Sequence, residues 1–296
     1  MGSVFGGLLA EAGVDVALVD TDVQLVEAIN ERGVVLRQGD AQRTVRVQVT
    51  SDPASLRPRD AVIFFVKCQH TRAAADAARP LIGDHTCTVT LQNGWGNADV
   101  LADIYGEGRV LAGVTYTSAT SVERGIVRTS GPARTIVGAL GDDRSMVDPV
   151  ADALEAAGFP VERPADVLSE VWKKLVLNAA TLPTAALTCL TAGDLAATPE
   201  MSWLVEAAAA EAVEVGRAQG FSVDLDERLE SIRAVLQHAG TGKASMLQDV
   251  EAGRRTEIDV ISGAVLENAR QHGIEVPMTR TLYALIVGLE TARGQR

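Results

Sequence analysis

Over residues 1–165, short apolar runs rich in β-branched residues alternate with stretches whose apolar positions recur every three to four residues. Residues 14–19, 45–49, 61–66, 86–91 and 110–117 have the length and composition of buried strands, with helix-like segments between several of them. Strands interleaved with helices predict an α/β domain built on a mostly parallel, doubly wound sheet. The stretch from Gly125 to Gly138 reads as a glycine-bounded β-ribbon, and residues 147–158 read as a helix. From about Val167 the strand signal ends. Residues 168–186, 199–219, 226–238, 243–272 and 278–292 carry helical spacing, with breaks at Gly220, Gly240, Gly273 and Pro277. The pattern predicts two domains, α/β over 1–165 and all-helical over 166–296, with a tight boundary near residues 163–165.

A chain of 296 residues can bury both cores, and its 47% hydrophobic and 22% charged composition is that of a globular protein. The net charge of −12 argues against a sequence-independent grip on nucleic acid or on an anionic bilayer, since both would repel this surface. It leaves room for a local basic pocket holding a small anion. Cys68, Cys87 and Cys189 are far apart, without the spacing that holds zinc, so no metal site is expected and the thiols read as buried or free in a reducing compartment. No run of about 20 apolar residues and no basic segment ahead of an apolar one is present, so neither a membrane span nor an export signal is predicted and a cytoplasmic location is expected.

The first residues, Met1-Gly2-Ser3-Val4-Phe5-Gly6-Gly7, followed by Gly13-Val14-Asp15-Val16-Ala17-Leu18-Val19-Asp20, look like a Rossmann unit entered part way. Gly2 takes the place of the third glycine of GxGxxG, a helix follows, and Asp20 ends the next strand where a ribose-binding acid is expected. The strand and two glycines that open such a unit are missing, so the reading expects a start assigned within a longer unit. Gly2 and Gly6 alone would be ordinary helix-packing residues; their spacing to Asp20 points to a nucleotide. Asp20 can accept hydrogen bonds from both ribose hydroxyls of NAD and would repel the 2′-phosphate of NADP. With Asp22 beside it and no Arg before Arg32, NAD is expected over NADP.

Four strings further on carry a resemblance. Gln92-Asn93-Gly94-Trp95-Gly96, Trp172-Lys173-Lys174-Leu175-Val176-Leu177-Asn178, Ser245-Met246-Leu247-Gln248-Asp249 and Thr256-Glu257-Ile258-Asp259 occur in that order. They resemble the N-G-x-G, W-x-K-L-x-x-N, SMLQD and TEID signatures of the ketopantoate reductase family. The resemblance implies reduction of 2-dehydropantoate to D-pantoate with a nicotinamide cofactor, more commonly NADP in that family, within pantothenate and coenzyme A synthesis.

Residue by residue, it implies that Lys174 is the catalytic lysine and that Asn178 contacts substrate. Ser245 would bind the substrate carboxylate, Asn93 would hold substrate or nicotinamide, and Glu257 would bind the substrate hydroxyl and support the Lys174 charge. Lys67, at the carboxyl end of an apolar run, would contact the cofactor. Each has a plainer reading: a snorkelling lysine beside the Val171, Leu175, Leu182 stripe for Lys174, a helix N-cap for Ser245, and a turn residue for Asn93. Glu257 could be a partner for Arg254 or Arg255 on a solvated helix, and Lys67 a surface lysine. Lys174 and Asn178 lie one helical turn apart and share a face whichever reading holds. Glu257 is expected on a helix beside Ile258, Ile261 and Val265.

One position departs from the family pattern: Leu182 stands before Pro183, where the family commonly has Asn. That keeps open an NAD-dependent D-2-hydroxyacid dehydrogenase of the same fold acting on branched 2-keto acids. A non-catalytic binding or regulatory protein on this scaffold is a third reading, against which Lys174, Asn178, Ser245 and Glu257 weigh together. The expected partner is a small 2-keto acid, and the sequence leaves a homodimer open.

Overall fold

The computed structural model describes residues 1–296, whose contacts group them into two units, Met1–Gln92 with Asn97–Val167, and Asn93–Gly96 with Leu168–Arg296. The first unit runs α1 (Gly2–Glu11), β1 (Ala17–Val19), α2 (Val23–Arg32), β2 (Val34–Gln38), β3 (Ala41–Val45), β4 (Gln48–Thr50), β5 (Arg59–Phe64), α3 (Thr71–Ala77) and β6 (Ile82–Thr90). It continues with α4 (Asn97–Tyr105), β7 (Val110–Thr115), β8 (Ala119–Glu123), β9 (Ile126–Thr129), β10 (Thr135–Ala139), α5 (Val147–Ala156) and β11 (Val161–Glu162).

Its strands form three ladders: β1-β4, β11-β10-β7-β6-β5 and β3-β2-β9-β8. Within the five-stranded ladder only the β10–β7 pair is antiparallel, as expected of a mostly parallel sheet. Leu18 pairs with Val49 across β1–β4 and Ile63 with Val89 across β5–β6, while no ladder joins β1 to β5. The expected strand over 45–49 is corrected: Val45 ends β3, and β4 starts at Gln48. The β2–β3 hairpin has no sequence signal of a buried strand, because its polar Arg37, Gln38, Gln42 and Arg43 break the apolar run. α1 buries Val4, Phe5, Leu8 and Leu9. The Phe5 ring stacks on Phe159 at 4.3 Å and tilts against Phe65 at 4.7 Å, so α1 is held by roughly 1.5–3 kcal/mol per buried side chain.

The second unit is helical: α6 (Val167–Thr188), α7 (Ala192–Ala197), α8 (Pro199–Ala218), α9 (Leu225–Ala239), α10 (Ser245–Glu251), α11 (Ser262–His272) and α12 (Pro277–Ala292). The buried Ala208, Ala209 and Ala212 of α8 let neighbouring elements approach closely, and the core they share contains Trp172, Leu175, Val176 and Ala179 of α6. The short α7 lies outside the expected helices, and its one local signal is the Thr191–Asp194 capping box.

The single helix expected over 243–272 is also corrected. α10 stops at Glu251 because Gly253 takes a left-handed φ of +67° and the Arg254 N–H returns to the Asp249 carbonyl at 2.8 Å, a helix-ending turn that a side chain would strain. An irregular stretch and one 3-10 turn, Ile258–Val260, precede α11. No helix is long and apolar enough to cross a membrane.

Candidate active site

Trp172 is fully buried, donates from Nε1 to the Ala212 carbonyl at 2.9 Å, and meets Phe221 at 5.5 Å. Gly216 makes this fit, since a Cβ there would collide with the indole ring. With Leu175, Val176 and Ala179 also buried, the rotation of α6 is fixed, and the row Lys174, Asn178, Leu182 that repeats every four residues is fixed with it. The neighbouring Lys173 pairs with Glu170 at 2.7 Å.

Lys174 donates from Nζ to Oδ1 of Asn93 at 2.9 Å. Burial pushes its ammonium down to about 8, against the opposing pull of the Glu257 carboxylate. Asn93 is presented by a tight loop in which Gly94 adopts φ +88°, the Trp95 N–H donates to the Val260 carbonyl at 2.8 Å, and the Trp95 ring meets Trp172 edge-on at 5.0 Å. Trp95 belongs to the Gln92–Gly96 string without a role of its own there, and Phe221 and Val260 belong to no motif. Only their aromatic or apolar character hinted at burial, and nothing local links them.

Glu257 is buried, at 8% exposure, but it is not on a helix; it heads the 3-10 turn, which corrects the expected helical stripe. Nor is it a partner for the adjacent arginines, because Arg254 pairs with Asp249 at 3.0 Å and Arg255 with Asp259 at 3.1 Å. Asn178 is 6% exposed and its Nδ2 has no hydrogen-bond partner. An orphaned buried donor costs roughly 1–3 kcal/mol, which a ligand oxygen placed there would recover. Ser245 opens α10 with an exposed side chain that makes no capping bond, so the plain N-cap reading fails. Its motif neighbours are structural: Met246 and Leu247 are core, Gln248 donates to the Lys243 carbonyl at 2.9 Å, and Asp249 holds Arg254. The structure thus brings Lys174, Asn93 and Glu257 together, aligns Asn178 with Lys174 on α6, and leaves Ser245 without a hydrogen bond to any of them.

In the first unit, Gly2 begins α1 with open space where a Cβ would project. Burial is the main cause that lowers the pKa of the Met1 amine at the head of this helix, with Lys67 lowering it further and Asp20 raising it. A helix head, a lysine and a carboxylate gathered in this way suit a pyrophosphate and a ribose. The Lys67 turn is held by Gln92, whose Nε2 donates to the Val66 carbonyl at 2.7 Å and to Thr71 Oγ1 at 2.9 Å. Asp22 caps α2 by accepting from Gln24 and Leu25. It also pairs with Arg124 at 3.1 Å, and Arg32 donates to the Arg124 carbonyl. The expectation of no arginine near this acid pair is therefore corrected, since the fold delivers one that the sequence holds far away.

Two family models match the chain, "Ketopantoate reductase PanE/ApbA" over residues 1–142 and "Ketopantoate reductase PanE/ApbA C terminal" over residues 166–290. A 2-dehydropantoate 2-reductase of Halobacterium salinarum is 34% identical over 97% of this chain and 94% of its own length, and one of Archaeoglobus fulgidus is 32% identical over 98% and 95%. Among solved structures, a PanE/ApbA family ketopantoate reductase from Ralstonia eutropha superposes with a TM-score of 0.90 at 31% identity, covering 99% of this chain and 97% of that one. A D-mandelate dehydrogenase solved with NADH and anilino(oxo)acetate reaches a TM-score of 0.93 over 99% and 96% of the two chains, but at 21% identity it speaks for the fold alone. The shared motifs, the two domain matches and full-length identity above 30% converge: the chain belongs to the ketopantoate reductase family.

Proposed function

We propose that the protein reduces 2-dehydropantoate to D-pantoate with a nicotinamide cofactor. The observation that carries this reading is the half-buried Lys174 ammonium, hydrogen-bonded to Asn93 and facing the charge of a buried Glu257. Reduction of a 2-keto acid needs a hydride at the carbonyl carbon and a proton at the carbonyl oxygen. The cofactor, when bound, supplies the hydride. Lys174 stabilises the developing alkoxide and gives up its proton, its lowered pKa placing that proton close to physiological pH. Asn93 orients the ammonium, and the Nδ2 of Asn178 binds a substrate oxygen. Ser245 takes the carboxylate, and Glu257 accepts from the substrate hydroxyl while favouring the charged lysine between turnovers.

Lys67 and the head of α1 at Gly2 would hold the cofactor phosphates, with Asp20 on the ribose hydroxyls. Asp20 favours NAD(H), because its carboxylate would repel a 2′-phosphate; Arg124 does not offset this charge, being engaged with Asp22. The test is steady-state kinetics with 2-dehydropantoate and 2-ketoisovalerate, each with NADH and NADPH. Formation of D-pantoate with the higher kcat/KM of the two substrates is expected, NADH should be the better reductant, and Asp20→Ala should narrow that gap. Turnover of neither keto acid with either cofactor would refute the activity, and preference for NADPH would refute the Asp20 assignment.

A further inference from the structure

Thr256 and Asp259 flank Glu257 and Ile258, and both are tied to α12 or to the chain just beyond it. Glu290, at 0% exposure, accepts from the Thr256 N–H at 2.7 Å and from the Thr256 hydroxyl at 2.6 Å, and its other oxygen accepts from Arg296 at 2.8 Å. Asp259 accepts from Tyr283 at 2.9 Å and from Arg296 at 2.7 Å. The Thr256 hydroxyl also receives the Ile258 N–H at 3.2 Å. At the downstream end, the Val260 carbonyl receives the Trp95 N–H, and Gly94 packs against the same residue, its absent Cβ leaving room for the Val260 carbonyl oxygen, which such a Cβ would approach to 2.7 Å.

Stretch 256–260 therefore carries Glu257 and also seats the loop that presents Asn93. We infer that the buried carboxylate of Glu290, acting through Thr256, is a positioning group for the reaction: it fixes this stretch, and with it both groups that bear on Lys174. Apolar packing alone could bury α12, and burying a carboxylate is costly even when it is fully hydrogen-bonded. What the carboxylate adds is direction, since it grips a backbone N–H and a hydroxyl of one residue at once. Of the charged groups around Lys174, Lys173 and Glu170 pair with each other on α6, the 93–96 loop brings none, and Glu257 raises its pKa.

The kinetic consequence rests on the proposed role of Lys174; the positional one does not. The chain has four lysines, Lys67, Lys173, Lys174 and Lys243. Labelling with [ε-13C]lysine and assignment by Lys→Arg variants therefore lets the titration of Lys174 be followed by NMR without any assay of activity. Thr256→Val, which keeps the shape and removes the hydroxyl, should lower the Lys174 midpoint by about half a unit or more, because displacing either Glu257 or the Asn93 oxygen removes support for the ammonium. Its kcat for keto-acid reduction should fall roughly 10-fold with cofactor KM unchanged, and Thr256→Ser should restore both. Tyr283→Phe, which loosens the same stretch at Asp259 while leaving the Glu290 bonds intact, should shift the midpoint in the same direction and serves if Thr256→Val does not fold. A folded Thr256→Val, or failing that Tyr283→Phe, with a parental Lys174 midpoint overturns the inference whatever happens to kcat. A shifted midpoint in a protein whose parent reduces no keto acid upholds the positioning and overturns the functional reading instead.

Discussion

Lys174 and Asn93 lie 81 residues apart in sequence, yet the lysine Nζ donates to the asparagine Oδ1 at 2.9 Å. The bond joins a long helix to a four-residue loop that groups with the helical unit although the chain on either side of it belongs to the first unit. An amide oxygen supports an ammonium without adding charge. Lys174 is thus held in place, and the bond favours its charged form alongside Glu257 while burial opposes it.

Replacing Lys174 by Ala would remove the proposed proton donor and the charge it would set against the alkoxide. Turnover of 2-dehydropantoate should fall by about 100-fold or more, the scale of losing a general acid, while cofactor affinity measured by calorimetry stays near parental. Parental turnover in this variant would return Lys174 to the rank of a snorkelling lysine.

The pH dependence follows from the direction of the Lys174 shift. Burial brings the ammonium down to about 8 from the usual lysine range, so the proton that the proposed mechanism assigns to Lys174 is present below that pH and lost above it. In the reductive direction kcat/KM should be flat on the acid side of about 8 and then fall roughly tenfold per unit. On the same proposal, oxidation of D-pantoate would use the neutral amine and should rise through the same pH. A reductive limb that appears only near pH 10 would place the titration elsewhere.

The sequence made the local parts of this arrangement legible. Lys174 and Asn178 share a face by helical spacing alone, and the alternation of strands and helices before residue 165 gives the doubly wound sheet. What stayed hidden depends on partners distant in the chain. Glu257 leaves the helix expected of it because Gly253 ends α10 and because Glu290, an ordinary helix glutamate by its local pattern, is buried to bind Thr256. Arg124 reaches Asp22 through the pairing of β8 and β9, which no spacing around Asp20 could disclose. The plainer alternative for Ser245, a cap before an apolar stretch, is not met: Ala244 is the capping residue and the serine is left exposed.

Gly94→Ala tests the loop directly. The residue sits at φ +88°, and an added Cβ would come within 2.7 Å of the Val260 carbonyl oxygen, so both the backbone and its seat oppose a side chain. Strain of about 1–3 kcal/mol is expected, relieved by the loop lifting from Val260 and withdrawing Asn93 from Lys174. The variant should show lower kcat, a lower thermal midpoint and quenching of Trp95 altered in fluorescence spectra. An unchanged kcat would mean that Asn93 does not need this seat.

Leu182 continues the Lys174, Asn178 row by one more helical turn and packs partly buried against the helical core, immediately before Pro183 within α6. An amide at this point would be half-desolvated, costing roughly 1–3 kcal/mol of stability while unpaired. A substrate hydroxyl beside it would recover part of that cost, whereas an apolar chain would not. Leu182→Asn should therefore melt at a lower temperature when free, yet raise the ratio of kcat/KM for 2-dehydropantoate over 2-ketoisovalerate by roughly tenfold, about one net hydrogen bond. Measuring both keto acids with one enzyme preparation separates this effect from loss of folded protein. A ratio equal to the parental one would place the substrate hydroxyl away from this end of the row and leave Glu257 as its partner.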